Sequence, residues 1–260
     1  MCNFNSYNRI VIKIGSAVLA DSKGKIDHSF LARLTEDIAW LKKKNKEVLI
    51  VSSGAIAVGR KNIALSKDLT LAESQALAAH GQIELMIAWK KHMNNHGIHI
   101  GQMLLTPKET ELQVSAKNAQ RTIAKLLEVG CLPIINENDS TATDEIKFGD
   151  NDLLASKVVK LIGADLLIIL STVDGLYASE EDVKARKLSS LIKEVSKITP
   201  KIKKMAGHAS QMGKGGMISK IEAAEICLKN NCVMVITSGK NNKPIRGIAK
   251  RAKATWFVKR

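Results

Sequence analysis

Apolar residues in this chain fall into short continuous runs separated by stretches of helical spacing. Arg9 to Ile14 is built mostly of β-branched residues and reads as a strand. Leu31, Leu34, Ile38 and Leu41 then recur at helical spacing, with Asp27 or Ser29 placed to cap the start. Val48 to Val51 is apolar throughout, as a strand buried on both faces must be. A long helical region follows from about Leu71 to His96, then a strand near Ile98 to Leu105 that stops at Thr106-Pro107. The second half repeats the theme. Ala119, Ile123 and Leu126 mark a helix ending at Gly130, and Leu132 to Ile135 a strand. Leu153 to Ile162 is helical and ends at Gly163; Leu166 to Leu170 is the most apolar strand. Met217, Ile221, Ala224 and Leu228 trace a helix before the strand Val233 to Ile236, and Trp256 to Val258 reads as a last edge strand. Ala178 to Met212 is the least regular stretch. Such alternation predicts a mostly parallel sheet covered by helices on both faces.

Ligands of such sheets bind beyond the carboxyl ends of the strands, so the residues at those ends are where chemistry is expected. The first strand ends Ile12-Lys13-Ile14-Gly15-Ser16. Its lysine is either an exposed charge sharing a strand face with Arg9 or a cation aimed at phosphate, with Gly15 admitting the ligand to the backbone. Val51-Ser52-Ser53-Gly54-Ala55-Ile56 is a small-residue junction, an ordinary capped turn or a set of N–H groups suited to an anion. Ile135-Asn136-Glu137-Asn138-Asp139 sets polar groups directly against a buried strand. Lys147-Phe148-Gly149-Asp150-Asn151-Asp152 opens a helix; its carboxylates can cap that helix, receive an ammonium group or position lysines. Asp150 and Asp152 alone do not identify a metal site. Gly213-Lys214-Gly215-Gly216-Met217-Ile218-Ser219-Lys220 leads into another helix, as a glycine hinge or a phosphate cradle, and matches neither GxxxxGK[ST] nor GxGxxG. Lys220 falls in the first helical turn, where a cation opposes the helix dipole, which makes sense if an anion faces it.

In this order, with Gly101-Gln102-Met103-Leu104-Leu105-Thr106 between the second and third, these segments resemble the amino acid kinase family from about Ile10 to Phe257. The resemblance implies an αβα sandwich with an open, mainly parallel sheet of about eight strands. It implies ATP-dependent phosphorylation of the side-chain carboxylate of L-glutamate, giving L-glutamyl 5-phosphate, the first step of proline synthesis. Lys13 and Lys220 match positions that neutralise the transferring phosphoryl group, and Asp152 the carboxylate that organises them. Ser53, Asp139 and Asn151 match glutamate-binding positions, with Asp150 beside them. Gly15, Ser171, Thr172 and the loop Lys214, Gly215, Gly216, Met217, Ile218, Ser219 and Lys220 match the ATP site, with Mg²⁺ bridging the phosphates. The resemblance also implies a homo-oligomer, dimer or tetramer, and feedback inhibition by proline. Relatives acting on N-acetylglutamate, aspartate, carbamate or UMP are the alternatives; an acetylated amine has no use for the carboxylate of Asp139. Three departures stand out. Thr172 replaces an acidic residue, Lys214 replaces a threonine, and the chain ends at Arg260 without the C-terminal PUA module of many relatives. The expectation is one kinase domain over residues 1–260.

Composition changes this picture little. Lysine and arginine outnumber acidic residues 40 to 25, for a net charge of +15, which would suit a nucleic-acid partner. Aromatics are only 3%, which leaves no stacking platform for single strands, and the lysines are spread along the length. A lysine-rich solvated surface serving anionic substrates explains the charge as well. No apolar run approaches the ~18 residues of a membrane span, and Met1 to Asn8 carries no apolar signal core, so a cytoplasmic enzyme is expected. The four cysteines form no CxxC pair.

Overall fold

A computed structural model describes residues 4–63, 65, 68–141, 150–185, 187–207, 216–249 and 253–259. Eight strands form one sheet: β1 Arg9–Ile14, β2 Glu47–Val51, β3 Ile100–Leu105, β4 Leu132–Glu137, β5 Leu166–Ser171, β6 Glu194–Val195, β7 Val233–Ser238 and β8 Ala254–Phe257. Their spatial order is β3-β4-β2-β1-β5-β7-β8-β6, and among the described residues β7 and β8 are the one antiparallel pair of the sheet. The helices are α1 Ser16–Leu19, α2 His28–Lys43, α3 Ala55–Gly59, α4 Leu71–Asn94, α5 Pro107–Glu111, α6 Gln113–Glu128, α7 Asn151–Ile162, α8 Glu180–Lys184, α9 Pro200–Gly207, α10 Met217–Lys229 and α11 Arg246–Ala249. No helix among the described residues is long and apolar enough to cross a membrane.

The central strands are apolar on both faces because both faces are covered, while the edge strand β3 is partly exposed. Ile10, Ile12 and Ile14 of β1 join the core under α1 to α4 and α11. Val11 joins the opposite core, under α6, α7, α9 and α10. Side chains alternate along a strand, so Lys13 emerges on the Val11 face, toward the starts of α7 and α10. Caps fix where the helices begin. Asp27 accepts from the Phe30 amide at 2.9 Å to open α2. The Thr70–Glu73 capping box opens α4, and Asp150 accepts from the Asp152 amide at 3.0 Å to open α7. Gly163, with φ 63°, closes α7 in the left-handed conformation.

β1 is the switch point of the sheet. The chain goes from β1 to β2 on one side and later returns to β5 on the other. A crevice opens beyond the carboxyl ends of strands at such a point. Two sequence expectations change. β4 runs through Glu137, so Asn136 and Glu137 are buried strand residues rather than loop. The last strand, β8, is not the edge, because β6 pairs outside it in parallel. With two residues, β6 has no periodicity to detect.

Candidate active site

At the carboxyl end of β1 three ionised side chains meet out of solvent. Lys13, only 4% exposed, approaches Oδ1 of Asp152 at 2.7 Å, in an ion pair lying off the hydrogen-bonding direction. Lys220, 5% exposed, donates to Oδ2 of the same carboxylate at 2.8 Å. Asp152 itself has no exposed surface. The first turns of α7 and α10 are thus tied to β1 by one carboxylate shared between two lysines. The reading of Lys13 as an exposed strand-face charge is excluded, and the anion facing Lys220 at the start of its helix is Asp152. Burial works against the charge on Asp152, but Lys13 and then Lys220 outweigh it and hold the carboxyl below the ordinary range. Asp150 lies 3.7 Å from Lys13 and accepts a short hydrogen bond from Ser219 Oγ. Burial, followed by repulsion from Asp152, holds its carboxyl above the ordinary range.

A second network lies beside the first. Nδ2 of Asn151 is 2.7 Å from the Ser52 carbonyl, 2.9 Å from Ser53 Oγ and 2.8 Å from Asn136 Oδ1. Asn136 also accepts from the Glu137 amide at 2.9 Å and donates to Gln82 Oε1 at 2.9 Å. The ends of β2 and β4, the start of α7 and the middle of α4 are joined through three side-chain amides.

Between these networks and α1 opens a cavity of about 480 Å³. Lys13 and Lys220 form part of its wall, with Ser53, Asp139 and Asn151 on the β2–β4 side and Ser171 and Thr172 on the β5 side. Gly15, Gly54 and Gly216 stand at the N-caps of α1, α3 and α10, and none supplies a side-chain cap. The first amides of these helices carry no side-chain acceptor there, which leaves them suited to an anion. Gly54 also has φ 94°, a conformation that favours glycine. A larger cavity of about 590 Å³ lies nearby, walled by Ala17, Ile26, Phe30 and Arg33 among others, but has no comparable set of buried ions.

The profile of the amino acid kinase family matches residues 8–238 of this chain. The chain belongs to the amino acid kinase family. It is 47% identical over 258 residues to a glutamate 5-kinase of Rhizobium rhizogenes and 48% identical over 257 residues to glutamate 5-kinase 1 of Rhizobium meliloti, covering 98% and 97% of this chain. It spans 66% and 64% of those proteins, just under two thirds. Solved structures of the same fold include UMP kinase from Ureaplasma parvum (TM-score 0.65, 18% identity, covering 97% of this chain and all of that one). Carbamate kinase from Giardia lamblia bound to AMP-PNP is another (TM-score 0.65, 19% identity, 98% and 100% covered).

Residues from the segments at the ends of β1, β2 and β4 and at the start of α7 line one crevice together with Lys220, whereas the segment Gly101 to Thr106 contributes none of its described lining. Lys214 and Gly215 lie outside the described residues, as do Lys147 to Gly149. Met217 packs into the core, Ile218 is exposed, and Ser219 turns its hydroxyl to Asp150, with the Gly216 carbonyl at 2.9 Å competing for its single hydrogen. Sequence reasoning flagged Asn136 within its polar segment but gave its amide no role, and it missed Gln82. Gln82 did leave a signal: it is the polar member of an apolar stripe formed by Ala78, Leu85 and Trp89.

Proposed function

We propose that residues 1–260 act as one kinase domain that transfers the γ-phosphoryl group of ATP to the side-chain carboxylate of L-glutamate, forming L-glutamyl 5-phosphate for proline synthesis. The observation that carries this reading is the Lys13–Asp152–Lys220 bridge on a cavity whose other wall holds Asn151, Ser53 and Asp139. The names of the relatives supply glutamate as the acceptor.

A glutamate side chain ionises near pH 4.3, so the nucleophile is ready at neutral pH and no general base is required. The obstacle is charge. Two unit negative charges ~4 Å apart repel by about 4 kcal/mol at a surface-like dielectric. Phosphoryl transfer passes through a loose transition state that gains mainly from positioning and fixed positive charge. Lys13 and Lys220 supply that charge, and Asp152 holds both in place while leaving the trio a net +1. Asp139 and the Asn151 carbonyl oxygen suit the substrate ammonium, and Gly15, Ser171, Thr172 and the Lys214 to Lys220 loop suit the nucleotide.

Mg²⁺ bound with the nucleotide would offset phosphate charge. The described residues offer it no cage: they hold no cluster of three or more His, Cys, Asp and Glu side chains, and Asp150 and Asp152 are engaged by lysines and Ser219. A homo-oligomeric assembly and inhibition by proline belong to the same proposal and rest on the resemblance; cytoplasmic residence belongs to it too and rests on the lack of a membrane-length apolar run in the sequence.

The test is an acceptor panel with MgATP: L-glutamate, N-acetyl-L-glutamate, L-aspartate, carbamate and UMP, read as ADP release. L-Glutamate should give the highest kcat/KM. Faster phosphorylation of UMP or aspartate overturns the reading.

A further inference from the structure

We infer that Gln82, on α4, is a positioning residue for the acceptor site. It acts through Asn136 to hold the Asn151 amide with its oxygen free for a substrate ammonium group. This deepens the proposed function and rests on it.

Two fixed backbone groups set the polarity of the relay. The Glu137 amide can only donate, and it takes Asn136 Oδ1 at 2.9 Å. The Ser52 carbonyl can only accept, and it takes Asn151 Nδ2 at 2.7 Å. Nδ2 of Asn151 has two hydrogens and three acceptors around it, counting Ser53 Oγ and Asn136 Oδ1. Its nitrogen end is saturated by the protein. Its Oδ1 makes no hydrogen bond among the described residues, and Asn151 lines the cavity. An amide held this way offers an acceptor and no donor. It suits a primary ammonium, which brings three donors.

Asn136 is 2% exposed and has used its oxygen twice, so its Nδ2 needs a buried acceptor. Gln82 Oε1 is that acceptor, at 2.9 Å. Gln82 is 8% exposed, and the backbone that carries it is closely seated. A Cβ on Gly81 would stand 1.9 Å from the Ala55 carbonyl, so α4 meets the start of α3 backbone to backbone. Without the Gln82 oxygen, Asn136 must rotate to find a partner, and rotation carries its Oδ1 away from both the Glu137 amide and Asn151.

The experiment compares Gln82→Met, which keeps the shape and removes the acceptor, with Gln82→Glu, which keeps an acceptor. Both are measured beside the parent, whose acceptor panel independently decides the glutamate reading. Gln82→Met should raise the KM for the amino-acid acceptor roughly tenfold, about the worth of one buried hydrogen bond. Its kcat and its KM for ATP should stay within about twofold. Gln82→Glu should recover most of the loss. Side-chain NH₂ resonances of Asn136 and Asn151 give a readout independent of any substrate: both should shift in Gln82→Met and return toward parent positions in Gln82→Glu. An unchanged acceptor KM with unmoved resonances overturns the relay. So does a Gln82→Met variant in which both KM values and kcat decline together, which would mark a packing role.

Discussion

The sharing of Asp152 between Lys13 and Lys220 makes these residues unequal under substitution. Removing Lys220 leaves the Lys13–Asp152 pair at 2.7 Å intact. Removing the carboxylate takes the shared partner from two buried ammonium groups, while Asp150 stays 3.7 Å from Lys13. Breaking a buried pair on one side typically costs about 3–5 kcal/mol. Asp152→Asn should therefore lose stability on that scale in denaturant unfolding, and Lys220→Ala clearly less. In turnover the order should reverse its emphasis: Lys220→Ala, though folded, should lose roughly 100-fold or more in kcat, the scale of one lost transition-state contact. Asp150 gives a pH test. Its carboxyl is raised, so the folded chain holds the proton more tightly than the unfolded chain does. Ionising it costs folding free energy, fully so above the raised pKa, and the cost vanishes below the ordinary value near 3.9. Asp150→Asn, which can still cap α7, should be at least as stable as the parent at pH 7, with the gap closing toward pH 4. Asp152 works with the opposite sign: its stabilisation is present above about pH 3.9 and is lost as pH falls through its lowered value.

At the level of elements, glycine decides where α4 can lie. Gly81 sits inside a 24-residue helix, where glycine costs about 1 kcal/mol relative to alanine. The close approach to Ala55 explains its presence. Gly81→Ala should lower the denaturation midpoint by the equivalent of about 1–3 kcal/mol, as overpacking does, despite the gain in helix propensity. Because α3 begins on the cavity wall, the same change should weaken acceptor binding, measurable as a raised KM. Most elements were legible from period alone: β5 as an unbroken apolar run, and α7 from its spacing and closing glycine. Lys13, Asp152 and Lys220 were legible as candidates because charge next to a core strand or in a first helical turn is costly without a partner. That Asp152 is the common partner was implied by resemblance; no local pattern joins residues 68 positions apart. The Gln82–Asn136 bond, spanning 54 positions, was invisible for the same reason. β6 went unseen because it is made by pairing, with no periodicity of its own.

Over the whole molecule, three helix starts whose N-cap glycines supply no side-chain cap and two buried lysines give the crevice an appetite for anions that does not depend on the acceptor. Tripolyphosphate, as a probe, should raise the melting temperature of the ligand-free protein with increasing concentration, following RT ln(1 + [L]/Kd). Added NaCl should weaken the effect by screening. A flat response would count against the crevice as a phosphate site. The switch point at β1 has a different consequence, one of descent. Under the proposed assignment, Ser53, Asn136, Asp139, Asn151 and Asp152 all precede the α7–β5 turn at Gly163, and Ser171, Thr172 and the α10 start all follow it. The choice of acceptor is thus written in the first part of the chain and most of the handling of nucleotide in the second, with Lys13 and Gly15 as the residues of the first part that also face the phosphates. A single recombination at that turn could exchange one acceptor for another and leave the phosphate donor untouched, which is an economical way for one architecture to diversify its substrates.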